Sequence, residues 1–215
     1  MKSRNGKIII KRVSLILIIV GILIALYPLY TNLKAYYQQS ILEKELNSQI
    51  SAIEPTSADQ LSTESPVIED AATAAETKPQ TVQPKKINAM MRIEIPNIHL
   101  SSIVVVGTSK YMLSYGPGWY EESAYPGEGN TAIAAHKDMY GSWFRNLYKL
   151  NPGNQIYLTY KGKKYIYFVE KVYPIMTNDW SVIAPTEEPV LTLTTCYTKT
   201  ERLACRAVLK EIQEK

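Results

Sequence analysis

The sequence predicts a mainly β domain, a barrel or sandwich of about 125 residues, behind a single N-terminal membrane helix. Three observations carry this. Short runs of alternating apolar and polar residues recur between Gly and Pro turns from Met91 onward, and a period of two puts alternate side chains on opposite strand faces. The β-branched residues and 16 tyrosines suit a pleated, half-buried surface. Ahead of these runs, Val13 to Tyr30 carries no charge at all.

A chain of 215 residues suits one globular domain with appendages. The net charge of +4 is too small to suggest a nucleic-acid partner, and its placement is more informative. Lys2, Arg4, Lys7, Lys11 and Arg12 crowd residues 1–12, which the positive-inside rule assigns to a cytoplasmic tail. Residues 13–30 are expected to be a transmembrane signal anchor, with Tyr27 and Tyr30 at its outer interface. A cleaved signal peptide has an apolar core of about 7–15 residues and a small-residue exit. Here the run is longer, and its exit carries the bulky Leu26, Tyr27, Leu29 and Tyr30. A single-pass protein of the cell membrane is expected, with everything after Tyr30 outside.

Residues 31–53 keep helical spacing through Leu33, Tyr36, Tyr37, Ile41, Leu42, Leu46 and Ile50, which predicts a juxtamembrane helix. Residues 54–87 turn to Ser, Thr, Ala, Pro and Glu and cannot bury enough surface to offset ordering, so a flexible stalk is expected. Residues 88–215 form the folded domain. Its strand candidates begin with Met91–Pro96 and Ile98–Val106, the latter containing His99. Asn130–His136 follows. Gln155–Tyr160 and Lys164–Val169 read as a hairpin with glycine in its turn, and Val190–Cys196 and Arg202–Leu209 close the series. Met139–Leu150, with Trp143, Phe144, Leu147 and Leu150 at helical spacing, is the predicted short helix.

The chemistry concentrates at strand ends. Cys196 follows Thr192 and Thr194 on one face of its strand, opposite Leu191 and Leu193. Cys205 shares a face with Leu203, Ala207 and Leu209 and reads as a small buried hydrophobe. A Cys196–Cys205 disulfide is the rival use of the pair in an exported chain, and strand parity argues against it. His136 ends the run Ala132–Ala135, whose small residues let another chain approach closely, whereas His99 reads as structural. Arg202 and Arg206 share a face, and Arg202 lies nearer the loop from Cys196. Asp138 either orients His136 or faces water. A thiol, an imidazole and a guanidinium supply the nucleophile, proton carrier and oxyanion partner of acyl transfer. On the residues alone, catalytic and structural readings of Cys196 and of His136 stand level. No paired ligand spacing points to a metal, and no cofactor is expected.

At these residues the chain resembles the sortases, membrane-anchored cysteine transpeptidases of Gram-positive cell surfaces. The family's Thr-Leu-x-Thr-Cys signature stands here as Thr192-Leu-Thr-Thr-Cys196, and its arginine before an apolar strand as Arg202-Leu-Ala-Cys-Arg-Ala207. The histidine segment appears as Gly129-Asn-Thr-Ala-Ile-Ala-Ala-His-Lys137, and the opening Ile-x-Ile-Pro-x-Ile as Ile93-Glu-Ile-Pro-Asn-Ile98. Gly116-Pro-Gly-Trp-Tyr120 and Leu150-Asn-Pro-Gly153 also fall in family order. Ala135 departs from the usual glycine, and Trp119 stands where many relatives carry a second histidine. Tyr120–Asn130 lacks the lid motif of pilus-assembling members, so the chain looks class D-like or class A-like.

The resemblance implies a closed eight-stranded sortase-type β-barrel with one or two short helices. It implies His136, Cys196 and Arg202 as catalytic residues, and Thr194 and Thr195 as a place for substrate-binding donors. It also implies cleavage of an LPxTG-like sorting signal between Thr and Gly through a thioester. The implied partners are surface proteins bearing that signal and the amine of a lipid-linked peptidoglycan precursor at the membrane. Two rival readings compete with this one. L,D-transpeptidases carry their cysteine in a Ser-His-Gly-x-Cys-type motif, and here Val190-Leu-Thr-Leu-Thr-Thr holds no histidine just ahead of Cys196. A non-catalytic anchored β-domain would have Cys196 buried or disulfide-bonded.

Overall fold

The computed structural model describes residues 3–51 and 87–214. Within 87–214, eight strands form: β1 (Ala89–Ile95), β2 (Leu100–Val106), β3 (Gly118–Trp119), β4 (Asn130–Ala134), β5 (Gln155–Tyr160), β6 (Lys163–Met176), β7 (Val190–Cys196) and β8 (Glu201–Glu214). They close into a barrel in the order β1-β2-β3-β4-β7-β8-β6-β5, and β5 returns to pair with β1. The predicted barrel therefore stands, and the sandwich alternative falls. Two of the pairings, β2 with β3 and β4 with β7, are parallel, and the rest are antiparallel.

Alternation decides what fills the barrel. Met91, Ile93 and Ile95 of β1, Ile156 and Leu158 of β5, Leu191 and Leu193 of β7, and Leu203, Cys205 and Ala207 of β8 join one buried cluster. Burial of this apolar surface is the main force closing the sheet. In the β5–β6 hairpin Tyr160 pairs with Lys163, leaving Lys161 and Gly162 as a two-residue turn with φ of 48° and 76°. Paired positive φ values match the right-handed twist of the flanking strands, and glycine adopts them at least cost.

Three predicted features change. The segment Met139–Leu150 is not an α-helix; only Leu147–Lys149 makes a 3-10 turn. Tyr140, Gly141 and Ser142 hold φ of 48°, 88° and 52°, outside the right-handed helical region. The helical spacing instead records Trp143, Phe144, Leu147 and Leu150 entering the core from a string of turns. His99 is not in a strand either. It ends the 3-10 turn Pro96–Ile98 with φ of 53°, exposed, between β1 and β2. Finally, β6 and β8 pair from Lys163↔Glu214 to Met176↔Glu201, well past the predicted ends at Val169 and Leu209. In β8 the extra residues 210–214 are all exposed and mostly polar, while in β6 residues 170–176 are mostly apolar but bury only Ile175, so neither extension carries a regular apolar alternation. A short helix, α2 (Lys110–Leu113), lies between β2 and β3, its N-terminus capped by the Ser109 side chain.

Ahead of the barrel runs one continuous helix, α1 (Ser3–Ser51). Among the described residues it is the one helix long and apolar enough to cross a membrane, with a mean hydropathy of 2.3 over its apolar window. Large apolar side chains such as Leu17, Leu23, Ile24 and Leu29 point outward there without protein cover. Beyond Thr31 the helix changes partner and docks on the barrel. Ala35, Leu42 and Leu46 are buried, and the last two pack with Ile103, Val105 and Met112. Asn32 Oδ1 accepts from Gly141 N at 3.0 Å, the Tyr36 ring meets Trp143 edge-on at 5.1 Å, and Glu43 pairs with Arg92. Gln39 is the hub. Its Nε2 donates to Ile103 O (3.1 Å) and Tyr115 O (2.8 Å), while its Oε1 accepts from Ile103 N (2.6 Å). Gly116 makes room for it, since a Cβ there would sit 2.3 Å from Gln39 Nε2. The expected stalk, residues 54–87, lies outside the described residues except for its last residue.

Candidate active site

The site grows from strand register. β4 and β7 run parallel with Ala134 beside Thr194, and Ala135 N donates to Thr194 O at 3.1 Å. Two residues further along each chain come His136 and Cys196, so both leave neighbouring strands at the same end and on the same side. On the other flank of β7, the antiparallel register makes Cys196 the direct partner of Arg202. Cβ atoms of directly opposed residues lie about 4.5–5.5 Å apart, so the thiol and the arginine share a face. A cavity of about 170 Å³ opens there, walled by His136, Cys196 and Arg202 together with Tyr120, Leu113 and Trp180.

Small side chains make the floor. Ala132 and Ala134 of β4 are buried under Tyr120 and Ile183, so the close approach suggested by the alanine run is taken by the β3–β4 and β6–β7 connections. Thr194 and Thr195 are buried and reach the cavity wall, where their hydroxyls are committed. Thr194 Oγ1 pairs with Tyr120 Oη at 3.3 Å, tying β7 to the β3–β4 connection, and Thr195 Oγ1 donates to Ala135 O at 2.8 Å, tying β7 to the end of β4. Their side chains brace the rim, and the substrate donors expected of Thr194 and Thr195 would come from the backbone there.

Cys196 is an exposed free thiol. Cys205 is also free, but it pairs with Leu193 on the interior side of β8, and burial pushes its thiol up to about 12. The register that sets Cys196 opposite Arg202 keeps the two cysteines from meeting, as parity suggested. The His136 ring is half-buried, with Nε2 enclosed and without a hydrogen-bond partner. Burial, and secondarily the positive charge of Lys110, hold its pKa below the usual 6.5. Asp138 turns away towards Arg145 at 3.9 Å, exposed, so it does not orient the imidazole. Arg206 is engaged by Glu170 at 3.2 Å. Arg202 instead has the indole of Trp180 over its guanidinium at 5.1 Å, and of the two arginines it alone lines the cavity. His99 lines a different cavity.

Trp180, Tyr120 and Leu113 escaped the sequence reading of the site. Trp180 sits in a polar connection without periodicity, where a lone exposed aromatic was the available signal. Tyr120 and Leu113 fall in segments whose fold is set by contacts distant in sequence.

Residues 93–210 match the sequence model of the Sortase domain. The chain belongs to the sortase family. Within this family it is 34% identical to Sortase D of Bacillus subtilis (strain 168) over 125 residues, 57% of this chain and 59% of that protein. The match thus spans about three fifths of that relative's length. Against Sortase A of Bacillus anthracis it is 25% identical over 201 residues, 89% of each chain. The sortase barrel also superposes on a solved Clostridium perfringens Sortase D5 transpeptidase with a TM-score of 0.55 and 26% identity, covering 58% of this chain and 80% of that one.

Proposed function

We propose that this sortase is a cysteine transpeptidase that cuts an LPxTG-like sorting signal between Thr and Gly and transfers the acyl part to a cell-wall amine. The observation that carries the reading is the register around β7, with His136 level with Cys196 on one side and Arg202 opposite it on the other. In the first half-reaction Cys196 Sγ, as thiolate, attacks the threonine carbonyl carbon. The resulting oxyanion draws on the Arg202 guanidinium, a planar and permanently charged donor. Collapse breaks the C–N bond, and His136 gives its proton to the departing glycine nitrogen, leaving a thioester. In the second half-reaction an amine attacks that thioester, His136 takes the amine proton, and Cys196 leaves again as thiolate.

The low pKa of His136 suits a proton carrier more than a permanent cation, and the exposed Cys196 admits a peptide from outside. The substrates proposed are surface proteins bearing the signal and a lipid-linked peptidoglycan precursor. An uncharged span in α1 with basic residues before it supports a single-pass orientation, cytoplasmic N-terminus and external barrel.

Incubating the full chain in detergent with sorting-signal peptides, with and without amines, tests this by intact mass. An acyl adduct is expected that disappears in Cys196→Ala. Turnover should drop by roughly a hundredfold or more in His136→Ala and in Arg202→Ala. Peptide cleavage by Cys196→Ala would refute the mechanism.

A further inference from the structure

We propose that Asn130 is a positioning residue for Arg202 and acts through Trp180; the proposal rests on the role given to Arg202 above. Asn130 opens β4, at the opposite end of that strand from His136, and is 1% exposed. Its amide is fully engaged. Oδ1 accepts from Thr192 Oγ1 at 2.8 Å, and Nδ2 donates to the carbonyls of Val182 (2.9 Å) and Ala184 (3.0 Å). Carbonyls only accept, so the nitrogen must face them and the oxygen must face the hydroxyl. One side chain therefore clamps the β6–β7 connection to the barrel wall.

The clamp reaches Trp180 through a single tight turn. Val182 and Ala184 flank the end of the 3-10 turn Ser181–Ile183, and Ile183 N donates to Trp180 O at 3.2 Å. From the other side, Asp179 Oδ1 accepts from Ser181 N at 3.0 Å. The backbone of Trp180 is held between these contacts, although its indole is 54% exposed. That indole covers the Arg202 guanidinium at 5.1 Å. Among the described residues no carboxylate forms an ion pair with Arg202, whereas Arg206 has Glu170. An arginine on a long stem loses considerable rotamer entropy when fixed, and a cation–π face is the contact available to fix this one. Asn130 thus orients the oxyanion donor from the far end of β4.

The test uses the full chain and sorting-signal peptides. Asn130→Asp keeps the size and the acceptor but removes both N–H donors; Trp180→Ala removes the indole from an exposed position, guarding against misfolding of the buried variant. Each is expected to lower kcat/KM roughly tenfold, yet less than twofold when Arg202 is already alanine. Trp180→Phe should recover most of the loss, since it restores an aromatic face. Independently of activity, Asn130→Asp and Arg202→Ala should each increase acrylamide quenching of the exposed tryptophan. Losses that multiply in the Arg202→Ala background, or quenching unchanged in Asn130→Asp, would overturn the proposal. Absence of any acyl adduct in the wild type would sink the proposed function instead, while the quenching result still decides the positioning.

Discussion

Which face of a strand a side chain occupies decides its chemistry at this site. Cys196 and Cys205 differ chiefly in that respect: one ends β7 in the open, the other is enclosed by leucines. A thiol pushed up to about 12 stays protonated at neutral pH and does not react as a nucleophile. Iodoacetamide should therefore label Cys196 alone in the native protein and both cysteines after denaturation, as read by peptide mass. Native labelling of Cys205 would contradict the fold. His136 carries a pH consequence. Because burial and Lys110 lower its pKa, the folded state binds fewer protons than the unfolded state between that lowered value and 6.5. Its stability contribution is complete above 6.5 and is lost as pH falls through the folded pKa. Urea midpoints of the wild type should fall on acidification across this window, and His136→Gln should flatten that part of the profile. The proton donation proposed for His136 runs the other way, fading as pH rises through the lowered pKa.

At the scale of elements, legibility followed apolar alternation. β1, β7 and the first half of β8 have one face in the barrel, so a period of two survives in their residues. β3 is two residues long, too short to show any period, while residues 170–176 of β6 bury only Ile175 and residues 210–214 of β8 are all exposed, so neither extension shows one. Met139–Leu150 misled because four core side chains happened to fall at helical intervals along a path of turns. The trio proposed as catalytic was legible as residues at strand ends, but its assembly was not, since the β4–β7 pairing joins segments about sixty residues apart. The Gln39 clamp was equally hidden, a polar residue on a helix whose partners are backbone groups of β2 and of the chain before β3. Replacing it strands buried backbone groups, each worth about 1–3 kcal/mol when unsatisfied. Gln39→Leu should cost about 3 kcal/mol of stability in a chain retaining α1, measured by urea unfolding.

At the scale of the molecule, α1 has one half apolar enough to cross a membrane and one half docked on the barrel. The apolar half is exposed and without protein cover, whereas the half from Asn32 to Leu46 is braced by Gln39, Leu42, Leu46 and the Glu43–Arg92 pair. Composition revealed the low-complexity stretch after this helix but not the docking before it. Ala35 and Gln39 drew no notice, while Leu33, Tyr37 and Ile41, which helped mark the helix, are exposed. The distance from Tyr30 to Gln39 along a helix is about 13 Å, so the docked helix holds the barrel close to where the span ends. The same contact shields Ile103, Val105 and Met112, and full burial of a leucine against such a patch contributes about 1.5–3 kcal/mol. A chain starting at Thr31 should therefore melt about 10 °C above one starting at Asn88, by circular dichroism, given about 2–4 °C per kcal/mol at this size. Introducing Gln39→Leu into the longer chain should remove a large part of that difference, because the clamp and the leucines act on the same docked helix. Equal midpoints for the two chains would mean that α1 does not hold the barrel.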